Sequence, residues 1–176
     1  MKILFQVFIL IGLSTPTSLF SQAQTAEVPR YVRDLDSTLA TLYSVISGEK
    51  GEARDWDLFR SLFHPDAKLI PTAKNEGGSI SANYMTPEDY IEKGGPYLVE
   101  NGFFEIEIHR EVDSFGPITQ VFSTYESYRS KNDTQPFARG INSIQLLNDG
   151  QRWWVLSIYW SQESPEQPIP LKYLPK

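Results

Sequence analysis

The sequence predicts a single α+β domain in which N-terminal helices pack on one face of a mostly antiparallel sheet. Two observations predict this class. Apolar residues recur at helical spacing in the first half of the chain, and from Phe103 to Ser161 the period changes to two, with β-branched and aromatic residues dominating. The length of 176 residues suits one such domain once a leader is removed.

The first 23 residues are typical of a secretory signal peptide. Lys2 precedes the apolar run Ile3 to Leu13, which is too short to cross a bilayer, and Ser21-Gln22-Ala23 places small residues at a cleavage site. We expect cleavage after Ala23 and an exported mature protein, periplasmic or secreted, without a membrane segment. The chain has no cysteine, which excludes disulfides, a thiol nucleophile and thiolate metal ligands.

Three helices are predicted before the sheet. The first has an apolar stripe that ends before Gly48 and consists of Leu35, Leu39, Leu42, Tyr43 and Ile46. The second has an apolar stripe that ends before His64-Pro65 and consists of Trp56, Phe59, Leu62 and Phe63. The third begins at Thr86-Pro87 with a Thr cap and Pro at the first helical position. We expect it to be short, because Gly94-Gly95-Pro96 follows.

The remaining pattern predicts strands. Two short candidates cover 68–71 and 79–84, with a turn over 75–78. Four longer antiparallel strands are predicted at 103–112, 118–129, 137–147 and 152–162. Successive hairpins after helices fit the α+β layout.

Asp149-Gly150 predicts a two-residue turn in the last hairpin. That loop would place Arg139 opposite Trp160 and would leave both faces of the hairpin rich in apolar side chains. Because helices cover only one face, we expect a homodimer through the sheet to cover the other. The inward pair is either Arg139 with Trp160, which we favour slightly, or Asn142 with Tyr159.

The preceding hairpin also divides into two faces. We expect the helix-facing side to consist of Ile106, Ile108, Val112, Val121, Ser123 and Tyr125. The opposite side carries Glu105, Glu107, His109, Glu111, Gln120, Thr124 and Glu126. A row of carboxylates is usually solvated, so no cavity role is predicted for that side.

Three phrases, LFRSLFHPDAKLIP, FGPITQVFSTYESY and RGINSIQLLNDGQRWWVLSIYWSQE, resemble the nuclear transport factor 2-like superfamily, in particular its SnoaL-like branch. The resemblance covers residues 34–163, between tails at 24–33 and 164–176, the latter proline-rich. It implies a cone-shaped fold, a pocket between helices and curved sheet, and frequent dimerisation. Such folds serve as isomerases, dehydratases, cyclases, binding proteins and adaptors, so the resemblance implies no single function.

Candidate site residues follow from this layout. His64 and Tyr125 are the candidate proton-handling pair, although a capping and packing role for His64 is favoured. Candidate ligand-binding residues are Tyr43, Trp56, Tyr125, Arg139 and Trp160. The stretch LIPTAKN lacks the base carboxylate that ketosteroid-isomerase-like members place there. His109 with flexible glutamates is a weak metal-ligand set, so no metal site is predicted.

The formal net charge of -6 and the absence of a basic run argue against nucleic acid as a partner. No phosphate loop, dinucleotide fingerprint or nucleophile elbow occurs, so no cofactor is predicted. The leading hypothesis is an exported protein that binds a small, partly apolar molecule. One alternative is a cofactor-free acid–base isomerase or dehydratase that uses His64 and Tyr125. Another is a dimeric scaffold domain whose cavity is filled by its own side chains.

Overall fold

A computed structural model describes residues 27–75 and 77–176; the predicted signal peptide lies outside the described residues. Three α-helices precede or interrupt a six-stranded sheet, with short 3-10 turns at Arg30–Val32 and Leu171–Tyr173. The elements in chain order are α1 (Leu35–Ile46), α2 (Trp56–Leu62), β1 (Phe63–Lys74), β2 (Ile80–Ala82), α3 (Pro87–Asn101), β3 (Phe104–Phe115), β4 (Ile118–Tyr128), β5 (Ala138–Asn148) and β6 (Trp153–Gln162).

The sheet has the strand order β2-β1-β6-β5-β4-β3. All neighbours are antiparallel except β1 and β6, which are parallel. The helices pack on one face, which confirms the predicted α+β class and the positions of the four long strands. No helix in the described part of the chain is long and apolar enough to span a membrane.

The helix starts follow from local capping. Asp34 accepts the backbone N–H of Ser37 (2.7 Å) at the start of α1. Thr86 and Asp89 form a reciprocal capping box at α3, in which Thr86 Oγ1 accepts the Asp89 N–H (3.1 Å) and Asp89 Oδ2 accepts the Thr86 N–H (2.9 Å).

The predicted end of the third helix at Gly94-Gly95-Pro96 is wrong, because α3 continues to Asn101 and ends at Gly102, whose φ is 69°. Packing explains the extension. A Cβ on Gly95 would lie 3.0 Å from Cζ2 of Trp56, so the absence of a side chain allows α3 to approach α2 closely. Tertiary contact therefore outweighs the poor helix propensity of this segment.

The last hairpin does not have the predicted register. Its loop contains four residues, 149–152, and Asn148 pairs with Trp153 rather than with Gln151, two positions earlier. Asp149 Oδ1 accepts the backbone N–H groups of Gln151 and Arg152 (2.8 Å each), which stabilises this wider loop. A bulge between Gln145 and Leu146 then shifts the pairing by one more residue.

The register changes decide which side chains share a face. Asn142 is paired with Trp160, and both lie on the helix-facing side, whereas Tyr159 pairs with Ser143 on the outer side. Arg139 is also outside, where its Nε donates to Glu163 Oε2 (2.8 Å). The slightly favoured prediction, with Arg139 and Trp160 both inward, is therefore wrong because Arg139 lies outward. The alternative prediction, with Asn142 and Tyr159 both inward, is wrong because Tyr159 lies outward.

A second bulge changes the face assignment of β3. The pairing shifts between Glu107 and His109, so that Glu107 pairs with Tyr125 and Glu105 with Ser127. Both carboxylates therefore lie on the helix-facing side, and Ile106 is exposed on the other. The predicted faces hold for Val121, Ser123 and Tyr125 of β4 but are wrong for Glu105, Glu107 and Ile106, because one extra residue reverses the alternation.

The core fills one end of the space between helices and sheet. Its fully buried side chains include Leu39, Leu62, Val121, Ile144, Leu146 and Val155. The chain beyond β6 crosses the outer face of the sheet, where Tyr173 packs on Phe122 with ring centroids 4.9 Å apart. Thr124 Oγ1 donates to the carbonyl oxygen of Tyr173 (2.6 Å), and Ile169 is buried.

Candidate functional site

A cavity of about 300 Å³ lies at the other end of this space. Its wall is mostly apolar and includes Leu42, Phe59, Leu98, Phe103, Ile158 and Trp160. A polar cluster interrupts this wall, formed by Tyr90, Glu105, Tyr125, Ser127 and Asn142. A concave apolar pocket with a few convergent polar groups has the composition of a small-molecule site.

Glu105 is the only acidic residue among the described residues that line the cavity. Its backbone N–H donates to Ser47 Oγ (3.0 Å) beyond the end of α1, which fixes the start of β3 against the helix. Asn142 Nδ2 donates to Glu105 Oε1 (3.2 Å), and Ser127 Oγ donates to Oε2 (3.4 Å). Desolvation raises the pKa of Glu105 to about 7, although these two hydrogen bonds oppose the change.

Two tyrosine hydroxyl groups accompany this carboxyl group. The hydroxyls of Tyr90 and Tyr125 have no hydrogen-bond partner among the described residues. Burial and the negative charge of Glu105 raise the pKa of both phenols, so both are O–H donors at neutral pH. Gly140 gives Tyr125 its space, because a Cβ there would collide with the Tyr125 hydroxyl and with the carbonyl oxygen of Ser161.

Tyr43 lines the cavity with its ring, but its hydroxyl is already bonded. It lies 2.6 Å from Ser123 Oγ and 3.1 Å from Asn142 Nδ2. Burial raises the pKa of this phenol as well. Tyr43 therefore organises the polar cluster, whereas Tyr90 and Tyr125 keep their donors available.

The structure places three of the five predicted ligand-binding residues, Tyr43, Tyr125 and Trp160, on the cavity wall. Trp56 lies behind the wall, edge-on to Phe59 with ring centroids 5.7 Å apart, and supports that residue. Arg139 lies on the outer face, in ion pairs with Glu163 and Glu126.

His64 does not line the cavity. Its Nδ1 accepts the backbone N–H of Asp66 (3.3 Å), and its ring lies edge-on to Trp154, 6.1 Å between centroids. The structure therefore does not bring His64 and Tyr125 together as a pair. The side chains that it does bring beside Tyr125 are Glu105 and Tyr90.

The sequence-based interpretation missed Glu105 and Tyr90, and it kept Asn142 only as an alternative. One signal was present: Asn142 is the only polar side chain in the alternating series Gly140, Asn142, Ile144, Leu146. A buried amide requires hydrogen-bonding partners, so this position indicates a polar group on a neighbouring element. Within residues 27–75 and 77–176, no group of three or more His, Asp or Glu side chains could hold a metal ion.

No protein-family model matches the sequence, and no curated protein matches it significantly. Solved structures do match. The β subunit of a protein described as an aromatic-ring-hydroxylating dioxygenase, from Novosphingobium aromaticivorans, aligns over 80% of this chain and 94% of its own, with a TM-score of 0.56 and 13% identity.

Two further structures agree. A protein described as a ketosteroid isomerase, from Parabacteroides distasonis, aligns over 80% of this chain and 96% of its own, with a TM-score of 0.52 and 12% identity. An NTF-2 like protein of unknown function from Silicibacter pomeroyi aligns over 73% and 92%, with a TM-score of 0.50 and 13% identity. The chain therefore has the nuclear transport factor 2-like fold. At these identities the likeness defines the fold alone.

Proposed function

We propose that this protein binds a small, mostly apolar and uncharged molecule in its cavity, with a hydrogen-bond acceptor such as a carbonyl oxygen at the polar cluster. The observation that carries the proposal is the pair of unpartnered hydroxyls, Tyr90 and Tyr125, beside Glu105 in an otherwise apolar space of about 300 Å³. Both residues line the cavity, so their hydroxyl groups are available to donate to an acceptor on a ligand.

The charges favour a neutral ligand. None of the described cavity-lining residues is Lys, Arg or His, so an anionic ligand would meet Glu105 without a counter-ion. The raised pKa of Glu105 keeps a large fraction of it protonated near neutral pH, when it is a further donor. A cation is disfavoured because its binding requires the ionised form of a carboxyl group in a desolvated position.

Four naphthalene derivatives of similar shape test the proposal by calorimetry at pH 6.5. We expect 2-acetylnaphthalene to bind more tightly than the hydrocarbon 2-ethylnaphthalene and the anion 2-naphthoate. Tyr125→Phe removes one donor and should weaken binding of the ketone by about tenfold. Tyr159→Phe, on the outer face, is the matched control and should leave it unchanged. Preferential binding of 2-naphthylmethylamine, or equal binding of ketone and hydrocarbon, contradicts the proposal.

A second candidate function is acid–base chemistry in the same cavity, with Glu105 instead of His64 as the proton-transfer group. The observation that favours it is a carboxyl group with a pKa of about 7 beside the Tyr125 hydroxyl, since a proton-transfer group works best when its pKa is near the operating pH. Ionised Glu105 would remove a proton from the carbon next to a ligand carbonyl and return one, while Tyr125 donates to the carbonyl oxygen.

Deuterium exchange tests this second candidate. In D₂O, NMR of 2-acetylnaphthalene should show loss of its methyl proton signal faster with the wild type than with Glu105→Gln. The same compound thus reports both functions, because binding without exchange supports the first candidate alone. Equal exchange rates for the two proteins reject the catalytic role.

We also propose a homodimer through the outer face of the sheet. Phe115 and Ile118 are 82% and 60% exposed at the β3–β4 turn, and Tyr159 is exposed on β6. The chain's own C-terminal segment covers part of the outer face, and the observed register leaves the outer side of β5 and β6 more polar than predicted. The proposed contact is therefore centred on Phe115 and Ile118. Sedimentation of the mature protein should show a dimer that Phe115→Ser with Ile118→Ser dissociates; a wild-type monomer rejects it.

Export is a separate proposal, supported by the apolar run and small residues of positions 1–23. N-terminal sequencing of protein recovered outside the cytoplasm should begin at Gln24. Recovery of the intact N-terminus in the cytoplasm contradicts this.

A further inference from the structure

The polar cluster is connected to the protein surface by a series of hydrogen bonds. At the outer end, Arg110 forms ion pairs with Asp36 on α1 and with Glu107 Oε2, both 2.8 Å. Glu107 Oε1 lies 2.6 Å from Ser123 Oγ. The Glu107 side chain is 16% exposed and thus at the boundary between solvent and interior.

The inner end reaches the cavity. Ser123 Oγ lies 2.6 Å from the Tyr43 hydroxyl, which lies 3.1 Å from Asn142 Nδ2. The same amide nitrogen lies 3.2 Å from Glu105 Oε1. We name Glu107, Ser123, Tyr43 and Asn142 the relay.

The chemistry of each group determines the direction of these bonds. Ionised Glu107 only accepts, so Ser123 must donate its single proton to it. Ser123 then accepts from Tyr43, and Tyr43, having donated its proton, accepts from Asn142. Only the NH₂ group of Asn142 can donate, so this group faces both Tyr43 and Glu105.

We propose that the Glu107–Arg110 ion pair fixes the direction of the relay and thereby holds the amide nitrogen of Asn142 towards Glu105. Glu107 is a positioning residue that acts through three others, since it does not line the cavity. The inference rests on the proposed function only in treating Glu105 as the polar end of the ligand site.

The groups that face Glu105 give the sign of the effect. They are Tyr43 on α1, Tyr90 on α3, Tyr125 and Ser127 on β4 and Asn142 on β5, with Glu107 two residues away on β3. Among these, the Asn142 N–H is the donor that stabilises the ionised carboxylate together with Ser127. If the amide turned, its oxygen would face Glu105 and would favour the protonated form, which can donate to it.

The test uses Glu107→Gln in the ligand-free protein. Arg110 should attract the oxygen of the new amide and turn its NH₂ group to Ser123, so that every later bond reverses. We expect the pKa of Glu105 to rise by about one pH unit, the size of one charge-assisted hydrogen bond. Loss of the Glu107 charge by itself would lower that pKa, because one repulsive negative charge disappears. The two explanations therefore predict opposite signs.

The pKa is measured by ¹³C NMR of protein labelled at the glutamate carboxyl carbons, with the Glu105 signal assigned from Glu105→Gln. Glu111→Gln, an exposed position on the same strand, is the matched control and should not raise the pKa. Ser123→Ala breaks the relay without any change of charge and should also raise it. An unchanged or lowered pKa in Glu107→Gln, or an unchanged one in Ser123→Ala, overturns the proposal.

The outcomes separate this inference from the proposed function. If the pKa changes as expected but no naphthalene derivative binds, the relay stands and the binding proposal fails. If the ketone binds but the pKa does not change, only the relay fails.

Discussion

The two ends of the space between helices and sheet are built from the same elements but filled differently. On α1, Leu39 belongs to the filled end, whereas Tyr43, one helical turn later, belongs to the cavity. On β5, Leu146 and Ile144 are in the core, whereas Asn142, the next inward position, binds Glu105. One helical turn on α1, and one inward position on β5, separates the residues that fill the core from those that belong to the cavity.

The difference shows how stability and function are divided within one small domain. The filled end removes its apolar surface from water completely, which is the main favourable contribution to folding. The open end leaves apolar surface on the wall of a cavity and holds a carboxyl group in a desolvated position, which lowers stability whenever that group is ionised.

The largest effect is expected at the filled end. Leu39 is fully buried, so Leu39→Ala should lower the free energy of unfolding by about 2–5 kcal/mol through lost burial and a new cavity. Urea denaturation measures the change. Leu171→Ala, at a position 87% exposed, is the control and should change it by less than about 0.5 kcal/mol. A similar decrease in the free energy of unfolding in both variants would contradict the view that packing at the filled end is the main source of stability.

The second effect is a pH dependence that originates at the open end. The pKa of Glu105 is about 7 in the folded protein and 4.5 as its ordinary value. Between these values the folded state binds more protons than the unfolded state, so stability from this group is present below pH 4.5 and is lost as pH rises to about 7. The loss is on the order of 3 kcal/mol.

Glu105→Gln isolates that contribution, because the amide does not titrate. Urea denaturation of both proteins from pH 4.5 to 7.5 should show wild-type stability falling relative to the variant over this window. Parallel curves would mean that Glu105 titrates at its ordinary pKa.

The smallest effect compares two glycines of the open end. At Gly140, a methyl group would collide with Tyr125 and with backbone, so Gly140→Ala should cost about 1–3 kcal/mol and displace Tyr125. At Gly94, inside α3, a Cβ would meet the Tyr90 ring at an ordinary 3.8 Å, so Gly94→Ala should stabilise the helix by up to about 1 kcal/mol. Thermal unfolding compares the two, and a stabilising Gly140→Ala would show that Tyr125 does not need this space.

Much of the fold was predictable because it depends on local periodicity. The apolar stripes of α1 and α2, the Thr86 cap and the four long strands follow from residues close together in the sequence. The end of α3 could not be predicted from nearby residues, because it depends on a contact between Gly95 and Trp56, which are far apart in the chain. Tyr43, Tyr125 and Trp160 were predicted for the site, whereas Glu105 and Tyr90 were not.

The sequence by itself determined which segments are helices and strands, and that Val121, Ser123 and Tyr125 share one face of β4. Only the tertiary structure decided which side chains of β3, β5 and β6 join them. The alternation of side chains along a strand does not reveal a bulge, yet the one residue that a bulge inserts exchanges the two sheet faces for every residue beyond it. The bulge in β3 therefore places Glu105 in the cavity and turns Ile106 outward, and the bulge in the β5–β6 pair brings Trp160 opposite Asn142. Arg139 lies outward because β5 pairs with β4 in a register that sets it opposite Glu126, one residue from the inward pair of Tyr125 and Gly140.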